Sequence, residues 1–443
     1  MPTSVVYRLL VRSGVALAPA FTRGRPKLAA GIAERAGLIG RLRSWAASRR
    51  DLTRPLLWMH AASVGEGLQA GAVLALLRQR HPDWQSVATH TSPSAAQDAL
   101  AAPADLAECL PWDRASDVEA ALEVLRPSAL VFCKHDLWPE LATRAAARGI
   151  PVGLIGAAVH PAGRRLRWPT RGLLLPGYRV VRAAGAVSLP DAGRLVRLGV
   201  PADRIVVTGD PRCDSALARA RAIRADDPLL LRLGGGETLV AGSTWPEDEA
   251  ALLAAFGIVR AARPQARLVL VPHEPTTEAL ARVTLAAGAL GFDAARPNDP
   301  GGPHPLTVVD RVGILATLYA GATIAYVGGG FGRAGLHSVL EPAACGVPVL
   351  FGPRGFRNPD AAALLAAHAA AQLGPEFPDW LDLDVGSTNA GANPLAALWL
   401  ALLRHPAHAA AAGRRGLDYV EAGAGAALRN AELIEGLVER ARS

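Results

Sequence analysis

At 443 residues the chain is too long for one ordinary core, so two domains are expected. Half of it is apolar, but much of that is alanine, and no unbroken apolar stretch approaches the roughly 18 to 20 residues of a spanning helix, so the bulk of the chain is expected to be soluble. The net charge of +8 is local: residues 1–54 carry eleven Lys/Arg against Glu34 and Asp51, and with few aromatics elsewhere this terminal charge does not describe a nucleic-acid binder.

Residues 5–21 are apolar apart from Arg8 and Arg12 and lead into the basic run Arg23 to Lys27. Two arginines and Pro19 spoil a signal peptide. An interfacial anchor fits better, with apolar residues in one leaflet and arginines at anionic headgroups. A helix packed on the chain's own first domain is the alternative.

Leu56–His60 reads as a buried strand, followed by Ala61-Ala-Ser-Val-Gly-Glu66-Gly and a helix over Leu68–Arg80. Loops at the carboxyl ends of parallel strands bind ligands, and Glu66 stands in one between two glycines. A first-turn glutamate that only complements the helix dipole is the plainer alternative. The alternation continues with strand Ser86–Thr91, helix Ser94–Ala101, an apolar segment at Cys109, Leu110-Pro-Trp-Asp113, helix Ala115–Leu125 and strand Ala129–Cys133. Lys134-His135-Asp136-Leu-Trp-Pro139 is a second charged strand-end loop, and Pro139 opens a helix to Arg148. Strand Val152–Ile155, an Arg-rich stretch (Arg164, Arg165, Arg167, Arg171) and a helix near Ala192–Leu198 follow. Residues 205–214 read as a last strand leaving the domain, with a turn-rich connector at Asp226–Gly236.

A second series opens with strand Thr238–Ala241 and the loop Gly242-Ser-Thr-Trp-Pro-Glu-Asp-Glu249. Strands Arg267–Val271, Thr307–Val309, Thr323–Val327 and Val347–Phe351 follow, with Pro272-His-Glu274 after the first of these. After Val327 comes a loop with glycines at 328, 329, 330, 332 and 335 and a short helix over His337–Cys345. Glycine lets backbone N–H groups and a helix end approach an anion, so a nucleotide phosphate is expected here, with Glu341 on ribose hydroxyls. Gly330-Phe-Gly332-Arg-Ala-Gly335 formally matches a dinucleotide fingerprint, but Arg354 and Arg357 stand where its acidic ribose ligand belongs. A strand-to-helix turn needing glycine only for packing is the remaining reading. The four cysteines are scattered, and neither they nor the histidines form a metal-ligand spacing, so no metal, disulfide framework or cofactor is expected. An alanine-rich stretch from His408 to Arg442 reads as closing helices. The fold class is α/β, two doubly wound domains facing a cleft.

In order and spacing, these motifs resemble the 3-deoxy-D-manno-octulosonic acid (Kdo) transferases over most of the chain: His60-Ala-Ala-Ser-Val-Gly-Glu66, Leu110-Pro-Trp-Asp113, Asp136-Leu-Trp-Pro139, Gly209-Asp-Pro-Arg-Cys-Asp214, Ala241 to Glu249, Pro272-His-Glu274 and His337-Ser-Val-Leu-Glu-Pro342. The resemblance implies a GT-B fold with a membrane-associating segment (residues 1–30), an acceptor domain (31–215) and a CMP-sugar domain (216–443). It implies an inverting transfer of Kdo from CMP-Kdo to a lipid A precursor, without metal, on the cytoplasmic face of the bacterial inner membrane, peripheral or anchored by the N-terminus. Glu66 takes the place of the family's general base. Ser63, Gly65, Lys134, Asp136, Arg212, Ser243, Thr244, His273, Gly330, Gly332, Gly335, His337, Ser338 and Glu341 fall on its substrate-binding motifs. The chain departs from the family at Lys134-His135, where many members carry Glu-Thr, at Ser338, where an Asn is usual, and at Pro272-His273-Glu274, which replaces Pro-Arg-His. Another nucleotide-sugar GT-B enzyme, or a non-catalytic membrane-binding homologue, are the alternatives.

Overall fold

The computed structural model describes residues 3–92, 103–134, 136–233, 236–301, 303–374, 378–381 and 393–442; the expected helix Ser94–Ala101 and His135 lie outside them. The chain divides into two compact units, one running to Ser215 and resuming at Gly423, the other Ala216–Ala422. The closing stretch is thus shared, and its last helix, expected with the second domain, belongs to the first.

The first unit is a seven-stranded sheet: β1 (Leu56–His60), β2 (Gln85–His90), β3 (Leu106–Cys109), β4 (Ala129–Cys133), β5 (Val152–Ala157), β6 (Val181–Ala186) and β7 (Ile205–Val207). They lie in the order β3-β2-β1-β4-β5-β6-β7, all pairs parallel. Strands β1, β4 and β5 are buried along their whole length, as sheets covered on both faces require. In this order the direction of winding reverses between β1 and β4; Lys134 directly follows β4, and Glu66, expected in a loop before a helix at Leu68, lies in the first turn of a helix that already starts at Val64.

The second unit repeats the plan with β8 (Thr238–Thr244), β9 (Arg267–Pro272), β10 (Ala294–Ala295), β11 (Leu306–Val308), β12 (Ile324–Val327), β13 (Val349–Phe351) and β14 (Ala370–Gln372). Their order is β10-β11-β9-β8-β12-β13-β14, again all parallel. Here the reversal falls between β8, which extends past the expected Ala241 to end in Ser243-Thr244, and β12, which runs into the glycine loop.

Three expected elements differ. The turn-rich connector contains a helix, Pro228–Leu233. Residues 208–210 leave β7 as coil, and a helix starts at Pro211. The helix after the glycine loop spans only Leu340–Ala344, because residues 332–338 are turn and coil. Strand β6 escaped detection because Val-Arg-Ala-Ala-Gly-Ala has a single β-branched residue. Its small side chains serve the last helix, Ala426–Arg442, which packs Ala427, Ala431, Ile434, Leu437 and Val438 into the core cluster that includes Ile155 of β5 and Ala183 of β6. A Cβ on Gly185 would stand 2.3 Å from Asn430 Oδ1, so only glycine permits that approach. Asp214 fixes the start of this helix by accepting from the backbone N–H groups of Gly425 (2.7 Å) and Ala427 (2.9 Å).

The N-terminal helix Val5–Leu17 docks on the first unit by one edge. Tyr7, its one buried residue, donates its hydroxyl to Asp113 at 2.6 Å, and Arg8 pairs with Glu140 at 3.0 Å. Val5, Val6, Leu9, Leu10 and Leu17 remain more than half exposed, as does Phe21 beyond. Among the described residues no helix is long and apolar enough to cross a membrane.

Asp214→Ala strands two backbone donors at the base of the last helix. It is expected to lower the urea-unfolding midpoint of the first unit by a stability loss of about 1–3 kcal/mol; an unchanged midpoint contradicts this role.

Candidate functional site

In the first unit β1 ends at His60 and Ser63 caps the helix Val64–Arg80, its Oγ accepting from the N–H of Glu66 at 3.5 Å. Glu66 folds back over the loop and accepts from the N–H of Ala62 at 2.8 Å through Oε2. Its Oε1 stands 4.0 Å from Lys134 Nζ. Burial pushes the carboxyl above its ordinary range, opposed by Lys134 and the Ala62 N–H. A Cβ at Gly65 or Gly67 would meet no atom within 4 Å, so packing does not demand glycine there and the helix end stays open to a ligand.

Lys134 follows β4 with φ of 63°, a left-handed conformation uncommon for a residue with a side chain, held by its N–H on the Ile155 carbonyl at 2.7 Å. Asp136 faces Arg165 Nη2 at 2.7 Å, Trp138 Nε1 at 3.2 Å and His60 Nε2 at 3.5 Å. Burial raises its carboxyl, but these donors outweigh it and hold it down to about 2. Two carboxylates of one strand-end cluster are therefore driven apart, Asp136 toward permanent ionisation and Glu66 toward proton uptake. That separation marks which can act as an acid or base. Arg212 lies on Asp210 (Nε to Oδ2, 2.8 Å), which also accepts from Gln69 of the Glu66 helix at 2.8 Å. Arg212 thus braces the helix as well as standing in a site motif.

In the second unit, Ser243 at the end of β8 has φ of 54°. Thr244 is buried, its hydroxyl directed to Glu249 (3.3 Å) and the Val271 carbonyl (3.4 Å), so its proton is committed inside the unit. Asp248 gathers the loops: one oxygen accepts from the N–H of Trp245 and of Gly329, both at 2.9 Å, and the other from the Tyr326 hydroxyl at 2.7 Å. Gly330 lies against Gly352, where a Cβ would come within 2.6 Å of backbone nitrogen, so this glycine is needed for close packing. Gly332 has room, and Gly335 takes φ of +90°. Beside them Trp245 stacks on His273 with centroids 4.9 Å apart, His273 lies 4.4 Å from His337, and Trp245 Nε1 donates to His337 Nε2 at 3.1 Å. Burial, with His273 adding to it, holds His337 down to about 4.

Two expectations for this loop need correction. No helix begins at His337, so an anion here would meet loop N–H groups and not a helix terminus. Glu341 lies in the first turn of the five-residue helix and is already paired with Arg219 at 2.5 Å, leaving it one oxygen for a ribose. Ser338 is exposed beside it. The sequence reading gave no role to His60, Arg165, Trp245, Asp248 or Arg219. Four stood within or beside recognised stretches, but Arg219 on its helix carried no local signal. Among the described residues no three His, Cys, Asp or Glu side chains converge as a metal site.

Residues 30–215 match the family model of the 3-deoxy-D-manno-octulosonic-acid transferases. Bordetella pertussis 3-deoxy-D-manno-octulosonic acid transferase is 28% identical over 414 residues, covering 89% of this chain and 90% of that protein. The Chlamydophila psittaci transferase of the same name is also 28% identical, over 68% of this chain and 70% of its own length. Residues 30–215 thus carry the Kdo transferase domain, and over most of its length the chain is similar to Kdo transferases. This similarity supports a glycosyltransferase. Among solved structures, UDP-GlcNAc 2-epimerase from Neisseria meningitidis, bound to UDP-GlcNAc, superposes with a TM-score of 0.58 over 87% of this chain and 100% of that one, at 14% identity. With two parallel seven-stranded sheets, this likeness places the fold in the GT-B class.

Two titrations check the electrostatics. In Lys134→Met the Glu66 carboxyl loses a cation that lowers its pKa, so carbon-13 NMR should show it titrating at higher pH than in wild type; an unmoved or lower titration contradicts the pairing. Asp136, depressed from 3.8 to about 2, contributes stability that is present above about pH 4 and lost as pH falls through about 2. Asp136→Asn should flatten this acid arm of the first unit's unfolding, and an unaltered arm contradicts it.

Proposed function

We propose that the chain transfers Kdo from CMP-Kdo to a lipid A precursor in lipopolysaccharide synthesis, with inversion at the anomeric carbon. The observation that carries the reading is Glu66: a nearly buried carboxylate at the winding reversal of the first sheet, with one oxygen anchored and its pKa raised. A sugar hydroxyl is a weak nucleophile at neutral pH. As its oxygen bonds to the anomeric carbon, its proton passes to Glu66, the carbon–oxygen bond to phosphate breaks, and CMP leaves with that electron pair. Positioned proton acceptance of this kind contributes about 10²–10⁴-fold.

The donor belongs to the second unit on this reading. Charge developing on the departing phosphate meets the open N–H groups about Gly332 and Gly335, the Ser243 loop and the ring of His337. Glu341, oriented by Arg219, keeps one oxygen for the ribose. Lys134 and Arg165 are cations of the first unit's cluster, suited to an acceptor that carries phosphates.

The acceptor is amphipathic, which gives the N-terminal helix its role. Tyr7 and Arg8 hold one edge to the protein while Val6, Leu9, Leu10 and Leu17 face outward, and Arg12, Arg23, Arg25 and Lys27 add positive charge. We propose that this edge-docked helix lies on an anionic bilayer at the cytoplasmic face of the inner membrane.

Purified protein given CMP-Kdo and a tetra-acylated lipid A precursor in detergent should release CMP and shift the acceptor mass by one or more Kdo units. UDP-GlcNAc offered alone should give no product. Transfer from UDP-GlcNAc with none from CMP-Kdo would overturn the donor assignment. Leu9→Asp combined with Leu10→Asp is expected to lower co-sedimentation with phosphatidylglycerol vesicles by about tenfold or more; undiminished binding would refute the helix as the contact.

A further inference from the structure

The cluster of Trp245, His273 and His337 is assembled from three separate loops. Trp245 follows β8, His273 follows β9, and His337 closes the glycine loop after β12. Their backbones are tied independently of their rings. The N–H of Trp245 and that of Gly329 share one Asp248 oxygen, and the N–H of His337 donates to the Gly328 carbonyl at 3.1 Å. The indole plane lies within 24° of the His273 ring and within 12° of the His337 ring, so the indole has little freedom to turn.

An indole N–H can only donate, and its partner at 3.1 Å is His337 Nε2, which must therefore present a lone pair. A proton on Nε2 would set two donors against each other. The single proton of the neutral ring is thereby confined to Nδ1. Nδ1 makes no hydrogen bond with any described residue and is not among the fully buried unpartnered atoms, so it keeps contact with solvent. Burial, reinforced by His273, keeps the ring neutral at physiological pH, since it is held down to about 4.

We propose that Trp245 is a positioning residue that locks His337 as the Nδ1–H tautomer, so that the glycine loop offers the donor's phosphate one neutral hydrogen-bond donor and no lone pair. The inference rests on reading the second unit as the nucleotide-sugar site. Its chemical sense follows from the two things such a ring must do. An unprotonated Nδ1 would repel a phosphate oxygen, and an imidazolium would grip the departing phosphate dianion and slow its release. A fixed neutral donor does neither.

The test uses full-length protein with nitrogen-15 histidine, comparing wild type with Trp245→Phe, which keeps an aromatic ring against His273 and removes only the N–H. His337→Gln assigns the resonance, and circular dichroism checks the fold. Without ligand, long-range proton–nitrogen spectra should show wild-type His337 protonated at Nδ1 and bare at Nε2. In Trp245→Phe the Nε2–H form should become the major one. CMP titrated at pH 7 should bind roughly three- to tenfold more weakly to that variant, the span of one lost hydrogen bond. A wild-type Nε2–H ring, or a tautomer unchanged in Trp245→Phe, overturns the lock. Wild-type protein with the Nδ1–H ring but no CMP binding overturns instead the nucleotide-site reading, and the phosphate role with it.

Discussion

Buried and half-buried carboxylates that accept backbone N–H groups from other segments hold both units in their working shape. Asp248 joins the turn at Trp245 to the glycine loop at Gly329, 81 residues on. Asp113 takes the N–H groups of Glu140 and Leu141 at the start of another helix and the hydroxyl of Tyr7 from the N-terminal one. Asp214 secures the last helix to the first unit. Charge-assisted bonds of this kind are roughly twice as strong as neutral ones, and a carboxylate can serve several donors at once. A parallel sheet leaves its loops unpaired at the carboxyl edge, and a single carboxylate can satisfy two of them. This explains why motif aspartates need not touch a substrate.

The freedom left by those clamps goes to the chemistry. In the first unit the sheet order brings the loops after β1 and β4 side by side, and their acids diverge because their surroundings do. Asp136 is ringed by Arg165, Trp138 and His60, whereas Glu66 has one N–H, a lysine at 4.0 Å and burial. Lys134 matters here, because its cation holds the Glu66 pKa lower than burial alone would set it. In the second unit the same topology gathers uncharged donors, as the proposed phosphate site requires.

Alternating strand and helix patterns, caps and the glycine loop made the doubly wound architecture legible in the sequence, down to strands whose ends match the structure, such as Leu56–His60 and Ala129–Cys133. Strand β6 and the edge strand β14 were not legible, because alanine and glycine carry little β signal and these strands are chosen for closeness to a neighbour. The assignment of the last helix to the first unit was equally hidden, since its alanines fit any helix and only its packing on β5 and β6 and the cap by Asp214 show where it belongs. Of the candidate site, Glu66 was marked by the motif around it and not by its position, which in the structure is the first turn of a helix and fits a dipole-complementing glutamate equally well. The pairing of Glu341 with Arg219 and the ring cluster at Trp245 could not be found, because each depends on segments from 92 to 122 residues apart.

The central claim is that Glu66 takes the acceptor's proton while the second unit holds the donor independently of it. The most direct measurement sets Glu66→Gln beside wild type and records CMP binding by calorimetry and Kdo transfer by acceptor mass on the same preparations. The account predicts unchanged CMP affinity with transfer reduced by about 100-fold or more, the loss expected for a general base. Transfer within a few-fold of wild type, with CMP still bound, would contradict it.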